Sequence, residues 1–288
     1  MCDRDNLARW AREGLDRRSF GAVGLAGAAA ACAPVANDDA AGAAATSAPR
    51  QVSFAGPGGI IDGEFFAHGD SRHPAIVFWP DIAGIRPAKR AMAQRLAEAG
   101  YAVLLANPYY RDVAGQQFAD FADFAGNGGW DKVTPWRGRF TPDTIKADQA
   151  ACAAWLLDQR EVDPARGIGT QGYCMTGSFA MIGPAAHQAI RAGASFHGGG
   201  LVRPAGASPH QMLRRDAHYL VAIGKDDDAK APAEKDSLRA AAADAGAKAE
   251  IEVYPADHGW CVLDAPSYDR AQAERAWARL LALYKAAL

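Results

Sequence analysis

Cys174 stands in Gly172-Tyr173-Cys174-Met175-Thr176-Gly177, between a glycine-bearing extended run that begins at residue 167 and an apolar, small-residue segment over 178–189. That pattern reads as strand, sharp turn, helix. At such a turn a nucleophile takes a strained backbone conformation, and its neighbours must be small because strand and helix pass close together. A thiol at a helix N-terminus is favoured as the thiolate, the form that attacks. Taken alone, the pentapeptide fits a buried core cysteine beside a glycine-rich turn equally well. Three other places offer partners: Asp81 after an apolar run, the triplet Asp226-Asp227-Asp228, and His258 in Asp257-His258-Gly259-Trp260.

The chemistry needs each type. Cys174 would attack an acyl carbonyl, with neutral His258 as the base that takes its proton. An aspartate would accept the other ring N–H of His258 and so fix the tautomer. Asp227 ranks first for that role, three residues past Gly224, and Asp226 second; a solvated turn is the bland reading of the triplet. The developing oxyanion needs preorganised donors, and the backbone N–H groups of Met175 and Ile82 are the natural pair.

These residues must be carried by a sheet. Residues 51–54 and 60–67 read as two short antiparallel strands joined by Gly56-Pro57-Gly58-Gly59. Continuous apolar runs at 75–79 and 101–106 read as strands buried on both faces. Further strands are expected at 167–171, 193–196, 219–224 and 249–254, with helices from Pro87 to Gly100 and over 143–159, 233–245 and 268–288. Regular alternation implies an α/β fold, a mostly parallel sheet of about eight strands with helices on both faces. In such sheets chemistry gathers at the carboxyl ends of strands. Asp81, Cys174, the aspartate triplet and His258 all follow a strand. Nucleophile, acid, histidine is the chain order of the α/β-hydrolase triad.

The N-terminus reads as a separate part. Arg17-Arg18 precedes an apolar run over 21–33 too short to anchor in a bilayer, the pattern of a twin-arginine export signal over residues 1–33. Residues 34–49 read as a flexible tether, and 50–288 as one catalytic domain. The expected location is the periplasm, with membrane attachment only if Cys32 is lipidated. With net charge -2 and 22% charged residues, nothing calls for nucleic acid as a partner. Cys152, Cys174 and Cys261 remain in the domain, an odd number that is not a disulfide framework. Cys152 reads as core. Cys261 is placed for an oxidative pairing with Cys174. No His/Cys cluster has metal-ligand spacing, so neither metal nor cofactor is expected.

Pro80-Asp81-Ile82-Ala83-Gly84-Ile85, Asn107-Pro108-Tyr109-Tyr110-Arg111, Gly172-Tyr173-Cys174-Met175 and Asp257-His258-Gly259-Trp260, in this order, resemble the dienelactone hydrolase family across most of 50–288. The resemblance implies an α/β-hydrolase fold with a Cys-His-Asp triad mapped to Cys174, His258 and one of Asp226 to Asp228. It implies action on a small ester or lactone; separately, a monomer is expected. It also maps a family glutamate that supports the thiol onto Asp81, and a family glycine onto Thr176, where looser helix-to-strand packing is expected. The family's substrate-binding arginines have no evident match. Arg111 reads as a salt-bridge residue or a carboxylate contact, and His197 as a pocket residue or a structural hydrogen bonder. The stretch 112–142, with Trp130, Trp136, Arg137 and Arg139, lacks periodicity and reads as a lid or binding loop. The functional reading is a thiol hydrolase of lactones or small carboxylic esters; the alternative is a non-catalytic exported binding protein on the same scaffold.

Overall fold

The computed structural model describes residues 49–288, so the export signal and nearly all of the tether expected from the sequence lie outside the described residues. Strands β1 (Arg50–Gly56) and β2 (Gly59–Phe66) form the antiparallel hairpin, and β3 (Ala75–Trp79) and β4 (Ala102–Ala106) follow around helix α1 (Pro87–Glu98). Helices α2 (Phe121–Gly126), α3 (Gly129–Arg137) and α4 (Pro142–Leu157) precede β5 (Ile168–Tyr173). Then come α5 (Gly177–Ile182), β6 (Ile190–Phe196), β7 (His218–Gly224), α6 (Lys225–Lys230), α7 (Glu234–Ala245), β8 (Lys248–Tyr254) and α8 (Arg270–Ala287).

The eight strands form one sheet in the order β1-β2-β4-β3-β5-β6-β7-β8. β1 and β2 are antiparallel to their neighbours, and every pairing from β4 to β8 is parallel. The fold is thus α/β with a mostly parallel sheet. Alternation along β3 shows why its run is apolar throughout. Ile76 and Phe78 pack on one face with Leu96 of α1 and Leu280 and Tyr284 of α8. Val77 and Trp79 pack on the other with Ile145 and Leu156 of α4 and Phe179 and Ile182 of α5. Both faces are covered, so no residue of the strand has a solvent side to fill.

Chain direction across the sheet reverses at β3. From there the chain moves to β4 on one side and later to β5 on the other, which opens a crevice at the carboxyl ends of β3 and β5. Two local expectations change. The helix over 178–189 ends at Ile182, followed by a 3₁₀ turn over Gly183–Ala185, because Pro184 has no N–H to continue it. The aperiodic stretch contains α2 and α3. At six and nine residues they are too short to show a period, and α2 is capped by Asp120, whose side chain accepts from Asp123 N at 2.7 Å.

Candidate active site

Cys174 sits at the top of β5 with φ 55, one of two non-glycine residues in the left-handed region among the described residues. Such a conformation costs on the order of 1–3 kcal/mol and persists only where the surroundings impose it. They do. A Cβ at position 172 would lie 2.0 Å from the Thr176 carbonyl oxygen, and one at 177 would lie 2.5 Å from Gly198 Cα, so only glycine fits on either side of the turn. Thr176 does not loosen this packing. Its buried hydroxyl accepts from Tyr173 N at 2.9 Å and lies 2.9 Å from the Pro80 carbonyl and 3.1 Å from that of Trp79, tying the turn to the end of β3.

His258 lies in the loop after β8 and is buried. Its Nδ1 is 2.7 Å from Asp227 Oδ2, and its backbone N–H donates to Asp226 Oδ1 at 2.7 Å. Asp228 pairs instead with Lys235 at 2.7 Å. The triplet therefore opens helix α6 and divides its work: Asp227 meets the ring, Asp226 the main chain, Asp228 a surface lysine. Burial alone would raise the Asp227 carboxyl, but the His258 hydrogen bond and charge outweigh it and bring it down to about 2. Burial likewise disfavours the imidazolium of His258. The facing charge of Cys174 and the bond to Asp227 prevail, and the ring is raised to about 9. Cys174 and His258 border the same small pocket, so the thiol and the ring that would take its proton share one enclosure.

Ile82 and Met175, the expected oxyanion donors, both line the larger cavity that reaches Cys174. Met175 lies in the first turn after the strand, where N–H groups have no intrahelical partner. The Ile82 peptide is fixed from its other side by Tyr109, whose hydroxyl donates to the Ile82 carbonyl at 2.7 Å.

Asp81 is near the thiol but differently employed. Its carboxylate accepts from Arg86 at 2.7 and 2.9 Å and from Ala83 N at 3.0 Å, and it pairs with Lys89 at 2.8 Å. Burial works against the carboxylate, yet these two cations hold it well below the usual range. Arg86 also bridges to Asp264 at 2.7 Å, and Asp264 accepts from Phe121 N at 3.0 Å, which fastens α2 over the site. Arg86 and Lys89 give no sequence signal as site residues, since a cation before and inside a helix start is ordinarily a solvated one.

The larger cavity, about 220 Å³, is lined by Cys174, Ile82, Met175, Phe140, Arg137 and Arg203 among others. Arg137 stacks on Trp130 at 4.9 Å, and Arg203 Nε donates to the Gly200 carbonyl at 3.2 Å. Arg203 escapes sequence reasoning because it lies in an irregular loop, six residues before a 3₁₀ turn at Pro209–Met212. Arg111, by contrast, is engaged as a salt bridge, with both terminal nitrogens on Asp148 at 2.6 and 2.7 Å. Cys152, Cys174 and Cys261 are all free thiols, and burial raises Cys261 to about 12. Among the described residues no group of side chains is arranged to hold a metal ion.

A family model for the dienelactone hydrolase family matches residues 61–288. The chain belongs to that family. Among curated proteins it is 28% identical over 222 residues to the "Putative carboxymethylenebutenolidase" of Escherichia coli K12, an alignment covering 75% of this chain and 78% of that one. Among solved structures it superposes on the "Putative Dienelactone Hydrolase" of Klebsiella pneumoniae with TM-score 0.68 at 22% identity, covering 83% of this chain and 98% of the other. The dienelactone hydrolase of Anabaena variabilis gives 0.55 at 18%, covering 83% and 99%. At those identities the two structures speak for the α/β-hydrolase fold. Family membership makes the chain a hydrolase.

Proposed function

We propose that this family member hydrolyses lactones or small carboxylic esters through an acyl-cysteine intermediate, with Cys174 as nucleophile, His258 as base and Asp227 as its orienting acid. One observation carries the reading: Cys174 held at φ 55 on the sheet's switch point, in the enclosure of a histidine whose Nδ1 is 2.7 Å from a carboxylate. The Cys174 proton passes to Nε2 of His258 and the thiolate attacks the acyl carbonyl. The oxyanion settles between the N–H groups of Met175 and Ile82, a contribution of about 10²–10³ in rate for each donor of this kind. On collapse the imidazolium returns its proton to the leaving alkoxide, which in a lactone is the other end of the opened ring. Water, deprotonated by His258, then cleaves the thioester.

Arg137 and Arg203 supply what selects the substrate. Two guanidiniums in a cavity bordered also by apolar Ile82, Phe140, Ile145 and Phe179 favour an acyl group carrying its own negative charge. The cavity volume suits a molecule of small-ring size rather than a long-chain ester. With the twin-arginine pattern read in the sequence over 1–33, we propose the periplasm as the place of this activity.

The test is hydrolysis of dienelactone and of p-nitrophenyl acetate, side by side, by the full chain and by Cys174→Ala. Turnover that disappears in the variant supports the thiol mechanism, and preference for the charged lactone supports the role of the two arginines. Equal background rates in both proteins would leave a binding protein on a hydrolase scaffold.

A further inference from the structure

His197, at the end of β6, is the second non-glycine residue with positive φ, at 40. Its backbone N–H donates to the Ala222 carbonyl at 2.8 Å, but the ring, 2% exposed, has no hydrogen-bond partner at either Nδ1 or Nε2 among the described residues. A buried imidazole left in that state is costly, on the order of 1–3 kcal/mol for an unsatisfied polar group, and a strained backbone is an odd place to accept that cost for packing alone. The ring stands edge-on to His258, centroids 4.5 Å apart, and against Trp260 at 5.4 Å and Tyr173 at 6.0 Å. It shares one small pocket with Cys174, Asp81 and His258.

Asp81 stands where a carboxylate would otherwise support the thiol, and its oxygens are taken by Arg86, Lys89 and Ala83 N. Of the side chains lining that pocket, His197 and the proposed base His258 have ring nitrogens without a hydrogen-bond partner among the described residues, and His197 is the one not engaged by a carboxylate. We propose that His197 is the positioning residue of the nucleophile, a neutral imidazole that donates an N–H to the Cys174 sulfur once the thiolate forms, in the role that Asp81 is prevented from filling. The inference rests on Cys174 being the nucleophile.

No bond to carbon is made or broken in this step. The thiol proton goes to His258 Nε2, and the sulfur, now negative, accepts the His197 N–H. His197 must stay neutral so that the proton is not offered to the wrong ring. Burial and the neighbouring His258 hold it down to about 4, which leaves His258 as the sole proton carrier near neutral pH. The other charged or titratable groups around the sulfur are Asp81 with its two cations, the buried phenol of Tyr109, Asp227 behind His258, and Arg137 and Arg203 across the cavity.

The test is the pH dependence of Cys174 alkylation by iodoacetamide, followed on the Cys174 peptide by mass spectrometry in the full chain. It needs no substrate, so it can fail or succeed independently of ester or lactone turnover. Three variants are compared: His197→Leu, His197→Asn, whose amide N–H stands near the place of Nδ1, and His197→Gln, whose amide reaches toward Nε2. Asparagine also tolerates positive φ. His197→Leu is expected to move the alkylation midpoint up by about one pH unit, a tenfold loss of rate on the acid limb, and one of the two amides to restore most of it. Should His197→Leu fail to fold, the contrast between the two amides carries the same information. Wild-type midpoints in all variants would overturn the proposal, and so would equal shifts in all of them, since a common packing change would then be the cause.

Discussion

Replacing Asp227 by Asn separates the three adjacent aspartates. The carboxylate lies 2.7 Å from His258 Nδ1 and its side chain is 10% exposed, so solvent screens the contact little. Its carboxyl is lowered from 3.8 to about 2, burial opposing and the His258 hydrogen bond and charge prevailing, which at about 1.36 kcal/mol per pKa unit is a net effect on the order of 2–3 kcal/mol. If that interaction is fully present in the transition state, its loss alone lowers kcat/KM about 10²-fold. An amide can also donate to the ring and invert the tautomer, which carries the loss toward about 10⁴. The assay is kcat/KM on the best ester or lactone substrate for Asp227→Asn, Asp226→Asn and Asp228→Ala. Asp226→Asn keeps an acceptor for the His258 backbone N–H and is expected within tenfold of wild type, and Asp228→Ala within twofold. A larger loss in Asp226→Asn than in Asp227→Asn would refute the assignment. The same pair has a signature in stability. Because the folded pKa of Asp227 lies below the unfolded one, its contribution is present above pH 3.8 and disappears as pH falls through about 2. The difference in urea unfolding free energy between wild type and Asp227→Asn should therefore shrink on acidification across that window.

The ring of His258 is raised to about 9; with its imidazolium as the proposed acid for the leaving group, kcat/KM should fall as pH rises through about 9 while alkylation of Cys174 does not fall; an undiminished kcat/KM across that window would remove the imidazolium from the step. Thr176→Val leaves the Tyr173 N–H unpaired beneath the turn and should cost about 1–3 kcal/mol in unfolding free energy, with Thr176→Ser much milder; an undisturbed Thr176→Val would show that the hydroxyl does not tie the turn to β3. Arg86→Met strands the Asp81 and Asp264 carboxylates and should cost about 3–5 kcal/mol, read as a lower melting temperature; a change under 1 kcal/mol would mean that the buried network relaxes without its arginine. Arg203→Ala should raise KM for a carboxylate-bearing substrate tenfold or more and leave p-nitrophenyl acetate turnover within twofold; equal effects on both would remove the arginine from substrate selection.

The parts legible in the sequence are those whose physics is local. Gly172, Cys174 and Gly177 announce a tight turn because small residues must flank a strained one, and the structure shows backbone atoms where their side chains would be. The apolar runs of β3 and β4 announce strands buried on both faces, and alternate residues of β3 do enter opposite cores. The parts not legible depend on which distant groups share a carboxylate. The family resemblance gives Asp81 a role in support of the thiol, but the structure pairs it with Arg86, the N-cap residue of α1, and with Lys89 in that helix's first turn. His197 offers the complementary case. Its sequence neighbourhood, a histidine before three glycines, permits a structural hydrogen bond, and only the fold shows both ring nitrogens unpaired among the described residues, the ring against His258 and lining one pocket with Cys174. A residue's type and its place after a strand restrict what it can do. What it does is decided by whether its neighbours have already used that capacity, and here the used carboxylate and the unused imidazole line one small pocket with the thiol.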